Sequence, residues 1–283
     1  MRFSLPATLF PLVATCTEAF TSQLAFSPRA SGHGMSVPSA LSVAPEAILF
    51  DCDGVLADTE RDGHRPAFNR AFAENQIDEE WGVERYGVLL EVGGGKERMT
   101  AHWNEVGWPS AMPDDEEGRQ AKVKELHLQK TGIFMDMINE GAIPLRPGVL
   151  RLVDEAIENG VRLACCSTSN DKAVKNLIAT LMGPDRAAKF QVFAGDMVKA
   201  KKPAPDVYNM AVEEMGLDKS KCVIVEDTDI GLGAAKAAGI KCLVTKSAYA
   251  EKEDFTGADL IVDELGDDPE TGVTLATLGS LLE

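Results

Sequence analysis

Across 283 residues, 45% hydrophobic and 26% charged, the chain carries enough apolar material for one or two globular domains with a sizeable core. Its net charge of −17, from 45 acids against 28 bases, excludes nucleic acid and anionic membrane surfaces as general partners. An anionic small molecule needs a local basic pocket against that background.

The first 45 residues do not read as folded protein. Arg2 precedes an apolar stretch, Phe3 to Val13, and small residues follow to Ala19; this fits a signal peptide and is too short to span a bilayer. From Ala19 to Pro45 there is no acid, and Ser, Ala and Pro abound, as in a transit peptide. The arrangement resembles a two-part plastid leader, so the expected destination is the chloroplast stroma, with simple secretion as the alternative.

Ala47–Phe50 is the first strand-like run, and Asp51-Cys52-Asp53-Gly54-Val55 ends it. A buried parallel strand delivers such acids to the carboxyl edge of an α/β sheet, where ligands bind, and alternation points Asp51 and Asp53 to one side. Two like charges so close repel unless a cation sits on them or one holds a proton. The pair reads as a Mg²⁺ site, a nucleophile with its general acid, or both; a solvated turn is the bland alternative.

Residues 62–142 then read as helices only: Arg65–Glu74, Lys96–Val106 and about Glu116–Asn139. This predicts an all-α cap inserted after the first strand, with a catalytic core formed by 46–61 and 143–283. Beyond the insert, strands alternate with helices: helix Val149–Asn159, strand Val161–Cys166, strand Gln191–Phe193, helix Asp206–Met215, strand Cys222–Val225, helix Gly231–Ala238, strands Lys241–Val244 and Leu260–Val262. That rhythm predicts a doubly wound parallel α/β sheet. Cys16, Cys52, Cys165, Cys166, Cys222 and Cys242 form no CxxC pair, which argues against a disulfide framework or zinc site.

Three further signatures sit at later strand ends. Ser167-Thr168-Ser169-Asn170 would cradle phosphate at a helix N-terminus or simply cap that helix. One lysine of Lys199-Ala200-Lys201-Lys202 would neutralise a phosphorylated intermediate, and Glu226-Asp227 adds a second acidic cluster. In this order, DxDGV, a strand ending in Ser, Lys-Pro and a strand ending in Glu-Asp resemble the haloacid dehalogenase superfamily over about residues 46 to 265.

The resemblance implies that Asp51 is the nucleophile and Asp53 the general acid and base. It implies that Ser167 and Lys202 hold the transferring phosphoryl group. Mg²⁺ would be bound by Asp51, the Asp53 carbonyl and Asp227, with Glu226 behind them. An ordinary carboxylate pKa would keep Asp51 ionised at neutral pH.

In the insert, Gly93-Gly94-Gly95-Lys96-Glu97-Arg98 forms a glycine-rich turn opening a helix; its amides, with Lys96 and Arg98, would bind a second phosphate, a flexible hinge being the alternative. Asp58 and Glu60 are placed to face substrate hydroxyls, and His127 and Lys130, at i,i+3, to reach the distal phosphate or solvent. His64, Arg65 and Arg146 are further candidates, while His102 has no evident partner. Together with Ala57-Asp58-Thr59-Glu60 and the glycine turn, the motifs resemble plastid CbbY-type proteins. Those are xylulose-1,5-bisphosphate phosphatases, which remove a Rubisco misfire product. The expected partner is therefore a small sugar bisphosphate, bound by a monomer. The rivals are a β-phosphoglucomutase-like enzyme and a non-catalytic phosphate-binding module.

Overall fold

A computed structural model describes residues 44–283, so the expected leader lies outside the described residues apart from its last two. Six parallel strands form one sheet: β1 (Ala47–Phe50), β2 (Arg162–Ser167), β3 (Phe190–Ala194), β4 (Cys222–Glu226), β5 (Lys241–Thr245) and β6 (Leu260–Val262). Their order is β3-β2-β1-β4-β5-β6, which bears out the expected doubly wound α/β class. The chain leaves β1 toward β2 on one side and later returns to β4 on the other. β1 therefore flanks the topological switch point, where open α/β sheets bind ligands.

Between β1 and β2 come α1 (Arg65–Glu74), α2 (Val83–Leu89), α3 (Gly95–Val106), α4 (Glu116–Asn139) and α5 (Val149–Glu158), with no strand among them. Phe68, Phe72, Trp81, Tyr86, Met99, Trp103 and Leu126 give α1 to α4 their own apolar cluster. A π-helical turn at Glu60–His64 leads into α1. His102 does have partners: its Nε2 lies 2.7 Å from Glu79, and Arg85 donates to Nδ1 at 3.0 Å.

Every side chain of β1 is buried, so the run looks uniformly apolar in sequence, yet it still divides by alternation. Ile48 and Phe50 join one core with Leu163, Cys165, Val223 and Val225, beneath α5, α6 (Asp171–Met182) and the short α7 (Pro184–Ala187). The insert is rooted in this layer, because Ala67, Ala71, Ile133, Phe134 and Ile138 belong to the same core. Ala47 and Leu49 join the opposite core with Ala164, Cys166 and Ile224, against α8 (Asp206–Met215) and α9 (Asp229–Ala238). Burying Ile48, Leu49 and Phe50 contributes roughly 1.5–3 kcal/mol each, comparable in sum with the net stability of a whole domain. The strand that carries the acids is thus a fixed part of the molecule.

Candidate active site

Asp51 is still held to the sheet, its N–H donating to the Val225 carbonyl at 2.9 Å. The chain then turns sharply: the Gly54 N–H donates to Ala57 O at 2.7 Å, closing a loop bridged at Asp53 and Ala57. Gly54 takes φ +87°, and a Cβ there would lie 1.9 Å from Asp227 Oδ2. Only glycine permits both the turn and the approach of the second acidic strand end. Gly54→Ala is expected to cost about 1–3 kcal/mol of stability, from the positive φ, and at least roughly tenfold in turnover, since Asp227 must move. Thermal melts paired with phosphate-release rates check both parts.

Four charged groups converge beside this loop. The side chain of Lys202 is buried and pairs with Asp51 in a short contact and with Glu226 at 2.7 Å. The hydroxyl of Tyr208, beneath the sheet edge on α8, donates to Glu226 in another short hydrogen bond, and its ring lies 5.1 Å from the Lys202 ammonium. Glu226 has room because Gly231 in α9 lacks a Cβ, which would sit 2.0 Å from Glu226 Oε2. Of the three neighbouring lysines, the structure therefore places Lys202 on the nucleophile candidate.

Burial pushes the Asp51 carboxyl up to about 7; Lys202 pulls it down, while Glu226 and Asp53 push it further up. The ordinary carboxylate value expected for Asp51 is thus corrected by its desolvation. Burial likewise raises Asp227 well above the usual range, reinforced by Asp51 and Glu226. For Lys202, burial favours the neutral amine but is outweighed by Asp51 and Glu226, which hold the ammonium charged. One carboxylate oxygen from each of Asp51, Glu226 and Asp227 lies within 4.8 Å of the others. Were all three acids ionised, the single ammonium would leave excess negative charge among them. A cluster of hard oxygen donors fits a hard divalent cation such as Mg²⁺.

Asp53 lies outside that cluster. Thr59 donates to its Oδ1 at 2.7 Å, Ser169 to Oδ2 at 2.6 Å, and Ser167 more distantly to Oδ2 at 3.5 Å. Its carboxylate is thereby aimed by three hydroxyls, so any metal contact from this residue falls to its main-chain carbonyl. Asn170 accepts from the Lys172 N–H at 3.0 Å and caps α6, leaving Thr168 to line the crevice. That crevice, about 450 Å³, is bounded by Asp51, Asp53, Asp58, Glu60, Lys202 and Asp227 among others.

The residues singled out in the insert are not all brought to it. Asp58 is spent on backbone, accepting from Arg61 N at 3.3 Å and Ala248 N at 3.0 Å, although it borders the crevice. Arg98 folds back onto the Val92 carbonyl at 3.0 Å and the Tyr86 hydroxyl at 3.2 Å, with Glu60 at 3.7 Å. Lys96 and Glu97 line a separate groove of about 750 Å³ between α3 and α4, with Thr100 and Lys124. Gly94 caps the start of α3, and Gly95 abuts the His127 ring. Lys130 is buried rather than solvated: it donates to His64 Nδ1 at 2.8 Å and sits 4.7 Å from the Phe68 ring centre. Burial lowers its pKa to about 8. Arg146 is a structural clamp on four carbonyls, among them Gly54 O, Thr245 O at 3.1 Å and Asp263 O at 2.9 Å.

Sequence reasoning missed Tyr208, Thr59, Ser247 and Tyr249. Tyr208 follows Lys202 by six residues with Pro205 capping α8, which is the one local hint that it faces back toward the lysine. The others depend on folding: Thr59 on the loop after β1, and Ser247, which bonds Asp227, on the loop after β5.

The signature of the haloacid dehalogenase-like hydrolases matches residues 45–239. A CBBY-like protein of Arabidopsis thaliana is 55% identical over 256 residues, covering 90% of this chain and 80% of its own length. The plasmid-encoded CbbY of Cupriavidus necator is 41% identical, covering 80% of this chain and 87% of its own. Among solved structures, a variant of CbbY from Rhodobacter sphaeroides in complex with xylulose-(1,5)bisphosphate is 39% identical with a TM-score of 0.60, covering 78% of this chain and 94% of that one. With the acids and the lysine gathered at the end of β1, these likenesses make the chain a member of the haloacid dehalogenase-like hydrolase family, a phosphatase related to CbbY.

Proposed function

We propose that the protein hydrolyses xylulose-1,5-bisphosphate to xylulose-5-phosphate, with Mg²⁺ as cofactor. The observation that carries the reading is the division of labour at the end of β1. Asp51 is paired with a charged lysine, while Asp53, two residues on, is aimed by three hydroxyls. An Asp51 oxygen attacks phosphorus, forming the aspartyl-phosphate as the sugar alkoxide departs with a proton from Asp53. Asp53, now ionised, takes a proton from the water that attacks the phosphoryl group, and Asp51 is released. Lys202 offsets charge on the transferring group and favours the ionised form of Asp51 against the effect of burial, while Ser167 lies beside Asp53. Asp51 and Asp227 would hold Mg²⁺, with the Asp53 carbonyl, and Glu226 would support them. The bound ion supplies further neutralisation of phosphoryl charge.

We take residues 62–142 as the cap that closes over the substrate, and the chloroplast stroma as the site of action, from the composition of the leader. Support for the substrate comes from the xylulose-(1,5)bisphosphate bound to the R. sphaeroides relative. Incubation with Mg²⁺ and xylulose-1,5-bisphosphate is expected to release inorganic phosphate, and EDTA to abolish that release. β-Glucose-1-phosphate is expected to be left unisomerised. Isomerisation of the second substrate with no phosphate from the first would establish a phosphomutase instead.

A further inference from the structure

Behind the pair of Asp51 and Lys202 lies Tyr208, a side chain that never meets the crevice but touches the groups that hold the lysine. It is fully buried near the start of α8 and belongs to the core of Ala164, Cys166 and Ile224. Its hydroxyl donates to Glu226 Oε1 in the short hydrogen bond described above, and the Lys202 ammonium approaches that same oxygen at 2.7 Å. The other oxygen, Oε2, accepts from the Asp227 N–H at 3.3 Å. Glu226 is thus anchored at both oxygens, and Tyr208 is the anchor that comes from outside the acidic strand end.

A lysine is a point charge on a flexible stem, so its neighbours decide where the charge sits. For Lys202 these are Asp51 Oδ1, Glu226 Oε1 and the Tyr208 ring, whose centre lies 5.1 Å from the ammonium. A cation at that distance from an aromatic ring is attracted to it. Tyr208 therefore supplies one of the three contacts and locates a second. Its share grows during the reaction. Once Asp51 is esterified to phosphorus its carboxylate charge is gone, and Glu226 and the ring remain to keep the ammonium in place. Phosphoryl transfer is sensitive to such placement, because positioning and charge stabilisation supply most of its rate.

We propose that Tyr208 is a positioning residue: by fixing Glu226 with its hydroxyl and backing the ammonium with its ring, it holds Lys202 on the transferring phosphoryl group. This rests on the aspartyl-phosphate reading above and not on the identity of the sugar. The hydroxyl is spent on Glu226 and meets no part of the substrate, so its effect is the same for every leaving group. It acts both when the aspartyl-phosphate forms and when water cleaves it, since Lys202 faces the phosphoryl group in each step.

Tyr208→Phe keeps the ring and removes the hydroxyl. The melting temperature is expected to fall by about 3–10 °C, as for one lost hydrogen bond to a buried charged acceptor, which leaves the variant folded at room temperature. There kcat is expected to fall about tenfold with KM unchanged, because Lys202 acts on charge that develops in the transition state. The same loss is expected on xylulose-1,5-bisphosphate and on acetyl phosphate, which share only the phosphoryl group. In a Glu226→Gln background, Tyr208→Phe should lower kcat by less than about threefold, since its effect runs through that carboxylate. Unchanged kcat in the folded variant, or a loss in KM alone, would overturn the proposal and leave Tyr208 a packing residue. A loss confined to the bisphosphate, or a full tenfold loss in the Glu226→Gln background, would overturn it as well. Recovery of kcat on raising Mg²⁺ would assign the hydroxyl to the metal site instead. Should the parent cleave acetyl phosphate and refuse xylulose-1,5-bisphosphate, the substrate assignment falls by itself and acetyl phosphate still reads Tyr208. Failure of the aspartyl-phosphate reading shows separately, as activity retained by Asp51→Asn.

Discussion

Asp51→Asn is expected to lower phosphate release by a factor on the order of 10⁴ or more, because a nucleophile that acts as a unit with its acid and its charge partner cannot be removed in part. The variant should fold well. The introduced amide would keep an oxygen for Lys202 while removing one of the crowded buried carboxyls whose desolvation and mutual repulsion raise Asp51 to about 7. A melting temperature at or above that of the parent, with activity at background, separates a chemical role from a structural one. Retention of more than a few per cent of the activity would rule out the aspartyl-phosphate route. It would leave the acids as a phosphate-binding site, the non-catalytic reading of the same fold.

Lys202→Met is expected to damage both folding and activity. The lysine is the cation between Asp51 and Glu226, and all three side chains are largely removed from water. Taking one partner from a buried ion pair costs about 3–5 kcal/mol, since the remaining charges stay desolvated without compensation. For a chain of this size that is a fall of roughly 6–20 °C in melting temperature. Measured in EDTA the fall should be complete; millimolar Mg²⁺ should return part of it, because the cation binds the folded acids and not the unfolded chain. Activity should stay at least roughly a hundredfold down in either case, as the positive charge opposite the transferring group is gone. A melting temperature unchanged in EDTA would mean that the acids meet their charge by holding protons, and that Lys202 is no part of the balance.

How legible a feature is in the sequence depends on how local it is. β1, β4 and β5 were legible because buried parallel strands are short apolar runs, and β3 extended its expected bounds by one residue at each end, to Phe190–Ala194. Helices α1 and α4 matched the expected bounds, and α3 began one residue earlier, at Gly95, because their apolar faces repeat over ten residues or more. Helix α2 was not legible: seven residues with Gly87 inside give too short a period to read. The π-helical turn at Glu60–His64 had no signature at all. Side-chain destinations in the insert were harder still. Spacing put His127 and Lys130 on one face of α4, but whether that face met a phosphate, solvent or His64 depended on α1 packing across it.

By itself the sequence determined the elements that depend on near neighbours. These are a buried strand ending in Asp51 and Asp53, a glycine at the turn, acids and a lysine at other strand ends, and an all-helical insert. From those the fold class followed, and their resemblance to the haloacid dehalogenase superfamily implied the chemistry of phosphoryl transfer. The tertiary structure decided how those pieces are charged and aimed. Parallel pairing sets Phe50 opposite Val225 and so lays Asp51 beside Glu226 and Asp227, which are far away along the chain. Desolvation there, a property of the assembled core and not of any segment, raises Asp51 and Asp227, while the acids so gathered keep Lys202 charged. Folding likewise decided that Asp53 answers to hydroxyls from two loops. Electrostatic energies and hydrogen-bond partners depend on distances through space, and those exist only once the chain has folded.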